Sequence, residues 1–283
     1  MFKKNSTTIK YSNIDFDKFS NEFKSILKKI DKLLDNYNGN FSNTRFGKTT
    51  NIFNSLNEQI TVDELYRYSE AIDLLDTLNI LNKSNYSKEF SKKIKIIIGG
   101  TLLLKDEKKT GARDYFFELK MAAKFKKSNF LIDFNEESDI QIIYNKIKYL
   151  VECKRPQNEK NIVQKARDAR KQLLKHRKYK GIIALDLSKV FYNEIATEHN
   201  LIFNTYDEID IIKKLFDNNY HLFINNIKDY DILDEVFLII CLLRFSCIVL
   251  NPYEVVTVNH YFSINSQSNT KEIKDILNEL KIS

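Results

Sequence analysis

Apolar positions in the first hundred residues recur every three or four places, the spacing of one helix face. Phe16, Phe19, Phe23, Ile26, Leu27, Ile30, Leu33 and Leu34 form one such stripe, and Leu65, Tyr68, Ile72, Leu75 and Leu78 form another within residues 62–81. Between them, residues 36–51 are rich in Asn, Gly and Ser and read as a loop. From Gly111 the texture changes. Residues 112–127 keep the helical period, whereas 129–137, 138–144 and 147–154 read as short strands. A second helix, rich in Lys, Arg and Gln, is expected over 159–176, followed by an almost unbroken apolar run at 181–187. Such a run suits a strand buried on both faces. Further on, 209–218 reads as helix, 236–250 as a core helix or a long buried strand, and 255–264 as a strand after the Asn251-Pro252 turn. The pattern predicts an α/β protein, with a mixed β-sheet flanked by helices. Residues 1–105 are expected to form a mainly helical docking or regulatory region, and 106–283 the sheet-bearing domain with a C-terminal extension.

The segment 138–154 places chemistry on this framework. Asn145-Lys146 suits a two-residue hairpin loop, because Asn tolerates the positive φ that such turns require. With that loop, residue 144 pairs with 147 and, at the far end, Asp139 with Glu152, their Cβ atoms about 5 Å apart. One face then carries Ile140, Ile142, Tyr144, Ile147, Tyr149, Val151 and Cys153, a core face. The other carries Asp139, Gln141, Ile143, Lys148, Leu150, Glu152 and Lys154. Facing carboxylates repel, and a sheet gains nothing by pairing them. A divalent cation removes the repulsion, and Mg²⁺ favours one or two carboxylates together with waters and phosphate oxygens. Lys154 adds an ammonium on the same face. The competing reading is an ordinary solvated hairpin face, where Glu and Lys are common.

Charge adds direction. The chain of 283 residues carries +7 overall, yet residues 105–180 hold 21 Lys/Arg against 11 Asp/Glu, while the rest holds 24 against 27. An excess concentrated in one quarter is the footprint expected of a surface that meets a polyanion, although a basic helix face is also often simply solvated. Cys153, Cys241 and Cys247 form no CxxC pair, and each lies in an apolar run, so buried thiols in a reducing compartment are expected. The N-terminus has no apolar signal segment, and the most apolar stretch, 236–250, is too short to span a bilayer, which points to a cytoplasmic protein without a membrane partner. Gly47-Lys48-Thr49 imitates the end of a phosphate-binding loop, but Ser42 stands where that loop needs glycine. The four histidines show no ligand spacing.

Asp139, followed thirteen residues later by Glu152-Cys153-Lys154 at a strand end, resembles the PD-(D/E)xK nuclease superfamily. The resemblance spans about residues 111–187 and includes the order helix, three strands, helix, strand. It implies a restriction-endonuclease-like core and hydrolysis of phosphodiester bonds with Mg²⁺ or Mn²⁺. Asp139, Glu152 and the backbone carbonyl of Cys153 would ligate metal, Glu118 in the first helix would complete the shell, and Lys154 would orient the attacking water. Arg155, Lys165, Arg167, Arg170 and Lys171 would grip the nucleic-acid backbone. Ser138 replaces the family's usual proline, which leaves the ligand intact. Gln164 is followed four residues on by Asp168, where exonuclease-like members carry tyrosine, so an endonuclease is favoured. DNA is the favoured substrate, with a place in genome defence or restriction beside a protein partner such as a helicase, ATPase or sensor. The alternative is a catalytically silent nucleic-acid-binding or interaction subunit of a larger complex.

Overall fold

The computed structural model describes residues 8–10, 16–34, 41–53, 59–81, 88–100, 111–134, 137–190, 202–203, 205–210, 232, 236–250, 253–264 and 271–282. Helices α1 (Phe16–Leu34) and α3 (Val62–Leu81) form where the apolar stripes fall. In α1, Phe23, Leu27, Ile30 and Leu34 are buried, the expected i, i+4, i+7 face. Helix α3 departs from a simple stripe. It is buried on most sides, and Ser69, Glu70, Asp73 and Thr77 lie inside with Leu65, Leu74 and Leu78.

The loop expected over 36–51 is in part helical, because α2 (Arg45–Phe53) occupies its second half. Thr44 caps the N-terminus of this helix, its hydroxyl accepting from the Gly47 amide at 3.0 Å. A Cβ at Gly47 would come within 2.1 Å of the Phe41 carbonyl oxygen, so glycine here serves close backbone packing. Helix α4 (Lys88–Gly99) buries Phe90, Ile94, Ile97 and Ile98. Helix α5 (Ala112–Lys127) spans the residues expected of it.

Among the described residues β1 (Thr8–Lys10) and β2 (Gln59–Thr61) pair with each other. The main sheet orders β3 (Leu131–Asp133), β4 (Ile140–Tyr144), β5 (Ile147–Lys154), β6 (Lys180–Asp186), β8 (Leu238–Leu250) and β7 (Ile202–Phe203), with β9 (Tyr253–Ile264) also on β8. The β3–β4, β4–β5 and β8–β9 pairs are antiparallel, whereas β5–β6, β6–β8 and β7–β8 are parallel. This is a mixed α/β architecture. The apolar run at 236–250 is therefore a strand, and all of β8 except Leu250 is buried. The helix expected over 209–218 lies almost wholly outside the described residues.

Two apolar clusters cover the two faces of the sheet. One joins Ile140, Ile142, Tyr149, Val151 and Cys153 to α1, α3, α4, α5 and α7 (Lys271–Leu280). The other joins Leu150, Ile183, Leu185 and Ile239 to α6 (Lys160–Leu173). The hairpin face expected to be polar is thus covered as well, with Leu150 and Glu152 both buried. Small residues bring α6 close: Ala166 and Ala169 are fully buried, and a Cβ at Gly181 would lie 2.9 Å from Leu173.

The hairpin register is the expected one. Tyr144 pairs with Ile147 and Ile140 with Val151, and the loop residues Asn145 and Lys146 have φ of 49° and 65°. Both are left-handed, as a type I′ turn requires, and lysine bears a steric cost of roughly 1 kcal/mol there. Lys146→Gly should therefore raise stability by up to about 1 kcal/mol in denaturant unfolding. A loss of stability would place the turn in another geometry.

Candidate active site

The site stands at the end of the β4–β5 hairpin. The register carries Asp139, one residue before β4, to the level of Glu152. Beyond the first ladder pair the Asp139 carboxylate takes over the role of a strand partner and accepts the Cys153 amide at 2.8 Å. Lys154 Nζ lies 2.9 Å from Glu152 Oε2 and 3.6 Å from Asp139 Oδ2, so one ammonium bridges both acids. Glu118 enters from α5, buried among Phe117, Leu119, Met121 and Ala122.

Sequence reasoning missed Lys93. This lysine of α4 is 6 % exposed and donates to Glu118 Oε2 at 2.5 Å and to the Asp139 carbonyl at 3.2 Å. Its ammonium also lies 5.7 Å from the Tyr115 ring centre and 5.5 Å from that of Phe134. Three carboxylates and two lysines thus meet at one place. A signal existed, because Lys93 sits beside Ile94 and between Phe90 and Ile97 on a helix stripe that is otherwise apolar.

The electrostatics follow from this crowding. Burial, and then the Asp139 charge, push the Glu118 carboxyl up to about 8, against the opposing pull of Lys93. Burial and Asp139 likewise push Glu152 up to about 6, with Lys154 pulling it down. Burial disfavours the Lys154 charge, but Asp139 and Glu152 outweigh it and raise its pKa. The Cys153 thiol is buried toward the core and is pushed well above its usual range by burial, so only the backbone of that residue can serve a hard cation.

The oxygen donors suit Mg²⁺ or Mn²⁺ in kind: three acids meet, and the charged forms of Glu118 and Glu152 are disfavoured by burial and by Asp139. As the side chains stand, however, no group of three or more His, Cys, Asp or Glu among the described residues is arranged to hold a metal ion. The two lysines supply the compensating charge instead.

The basic residues divide. Arg155 turns inward, 4 % exposed, with Nε donating to Asp186 at 2.9 Å and Nη1 to Asp114 at 3.3 Å. It belongs to the interior and is not placed to grip a strand at the surface. On α6, Lys171 is exposed, and Lys165, Arg167 and Arg170 are partly exposed. Gln164 donates to Asp168 at 2.8 Å on the same helix. No helix among the described residues is long and apolar enough to cross a membrane. Cys153, Cys241 and Cys247 are free and buried. Comparison with known proteins gives no match to a family model, a curated protein or a solved structure.

The raised carboxyl of Glu118 has a sign that can be measured. Its folded value of about 8 exceeds the ordinary 4.5, so the fold favours the protonated form. The resulting stability is fully present below 4.5 and is lost as pH rises through 8. Metal-free protein should accordingly melt at lower temperature at about pH 8 than at about pH 5, and Glu118→Gln should flatten that slope. Equal slopes in the two proteins would show that Glu118 is not held protonated.

Proposed function

We propose that this chain is a metal-dependent nuclease with a restriction-endonuclease-like core, cleaving DNA in preference to RNA. The observation that carries the reading is the meeting of Asp139, Glu152 and Lys154 at the end of two paired strands, with Glu118 arriving from α5. Two like-charged side chains at facing positions cost stability, and a function is a reason to keep them. Asp139, Glu152 and the Cys153 carbonyl would hold the cation, with Glu118 behind them. When bound, a divalent ion supplies a water of lowered pKa and offsets negative charge on the phosphate. Lys154, beside both acids, would orient that water and stabilise charge developing on the phosphate oxygens. The outward part of α6 would hold the strand through its phosphates without reading sequence. Asp168 stands four residues after Gln164, where exonuclease-like members carry tyrosine, which favours internal cleavage. A role in genome defence with a helicase, ATPase or sensor partner belongs to the same proposal.

A second reading has its own support. Glu118 is satisfied by Lys93 and Glu152 by Lys154, an arrangement that a catalytically silent nucleic-acid-binding subunit could keep without metal. Incubation with plasmid, linear DNA and RNA in Mg²⁺, Mn²⁺ or EDTA separates the two. Under the nuclease reading the wild type cleaves only with metal, Glu152→Ala abolishes cleavage, and Lys154→Ala loses on the order of 10²-fold or more in rate. Wild-type cleavage matched by both variants would remove these residues from the chemistry. Binding without cleavage under every metal would favour the silent subunit.

Salt dependence tests the α6 surface. Replacing Arg167, Arg170 and Lys171 together with alanine should weaken DNA binding and reduce the slope of log K against log salt, by roughly 0.9 for each phosphate no longer neutralised. An unchanged slope would leave α6 as a solvated face.

A further inference from the structure

A second concentration of charge lies in the interior, past the ends of β5 and β6. Arg155 follows β5 directly, and Asp186 closes β6. Together with Glu70, Arg113, Lys120 and Arg244 they line a narrow, partly enclosed cleft. Ligands of open α/β sheets bind outside the carboxyl ends of parallel strands, where such clefts form.

The charges of this cleft do not balance. Four cationic side chains line it against two carboxylates. Behind the wall, Asp73 accepts from both Lys120 and Arg244, and Arg45 donates to Glu70. Among the described residues that makes five cations to three buried carboxylates around the cleft; the fourth nearby acid, Asp114, bonded to Arg155, is half exposed. The Tyr66 hydroxyl, pushed above its usual value by burial, supplies no anion.

Arg244 makes the demand local. Its side chain is 6 % exposed, and its central carbon lies 4.6 Å from the Tyr66 ring centre. Nη1 is bonded to Asp73, whereas Nη2 is buried with no hydrogen-bond partner among the described residues. A buried guanidinium nitrogen without an acceptor is rare and costs stability until an acceptor reaches it.

We propose that this cleft binds a phosphate-class oxyanion, taken between Arg244 and the cationic side chains of Arg113, Arg155 and Lys120. Guanidinium forks match tetrahedral oxyanions in shape and charge. The source is either free phosphate or the phosphorylated end of a nucleic-acid strand. The site is separate from the carboxylate cluster, and its test needs neither metal nor cleavage.

The experiment follows full-length protein by calorimetry and thermal melting during titration with inorganic phosphate, against chloride at matched ionic strength. The wild type should bind phosphate saturably and melt higher. Arg244→Lys keeps a cation beside Asp73 but removes the second nitrogen, and should weaken phosphate binding by about tenfold or more. Lys127→Ala, at the exposed end of α5, should bind as the wild type does. Amide exchange on the wild type gives a second measurement that needs no variant, with phosphate expected to slow exchange at residues 184–188 and 242–246. A short oligonucleotide with and without a terminal phosphate identifies the source: competition by the phosphorylated form alone assigns the strand end, and no competition assigns the free ion. No saturable effect over chloride, equal affinity in Arg244→Lys, or slowing confined to α6 would overturn the proposal.

Discussion

Asp139 and Glu152 stand at one level of a hairpin, and the repulsion between them has to be answered by whatever surrounds them. Lys154 answers it from the same strand, at 2.9 Å and 3.6 Å, and the Cys153 amide answers it from the backbone. The register that creates the problem is itself firmly held. Its loop residues take the left-handed turn, and both faces of β5 are packed, so a slip of one residue would drive apolar side chains out of two cores at once. Helix α5 then packs Glu118 into the same neighbourhood, and α4 brings Lys93 to meet it. Sheet, hairpin and two helices are all required to keep three acids this close.

Much of this is legible in the sequence because long periodic segments carry their own evidence. The stripe of α1, the span of α5 and the two-residue turn between β4 and β5 each depend on neighbours within a few positions. What escapes depends on contacts across the chain. Lys93 lies 25 residues before Glu118 and 46 before Asp139, and no local pattern says that a lysine turns inward. Arg155 reads as an outward cation because it follows the motif lysine, yet its partner Asp186 lies a whole helix and strand later. Helix α2 is hidden by Asn, Gly and Thr, residues of low helix propensity that tertiary packing overrides. The run at 236–250 is ambiguous for the opposite reason, since a segment buried all round loses the periodicity that tells strand from helix.

Helix α3 shows how the first hundred residues and the sheet exchange charge as well as apolar surface. Burial alone would raise the Glu70 carboxyl, but the guanidinium groups of Arg113 and Arg45 overcome it and hold the acid well below its ordinary range. Asp73, one turn on, takes Lys120 from α5 and Arg244 from β8. Removing one member of such a pair leaves its partner charged and unpaired, at a cost of about 3–5 kcal/mol.

The basic side chains therefore belong to two populations that differ in what the solvent can do to them. Mobile ions gather around the exposed cations of α6 within a Debye length of about 8 Å at physiological ionic strength, and they compete directly with any polyanion bound there. Arg45, Arg113, Arg155 and Arg244 are buried, and their ion pairs are screened much less. Ionic strength is thus a selective instrument on this molecule: raising it screens the outer cations strongly and the interior ion pairs, with the packing they register, far less.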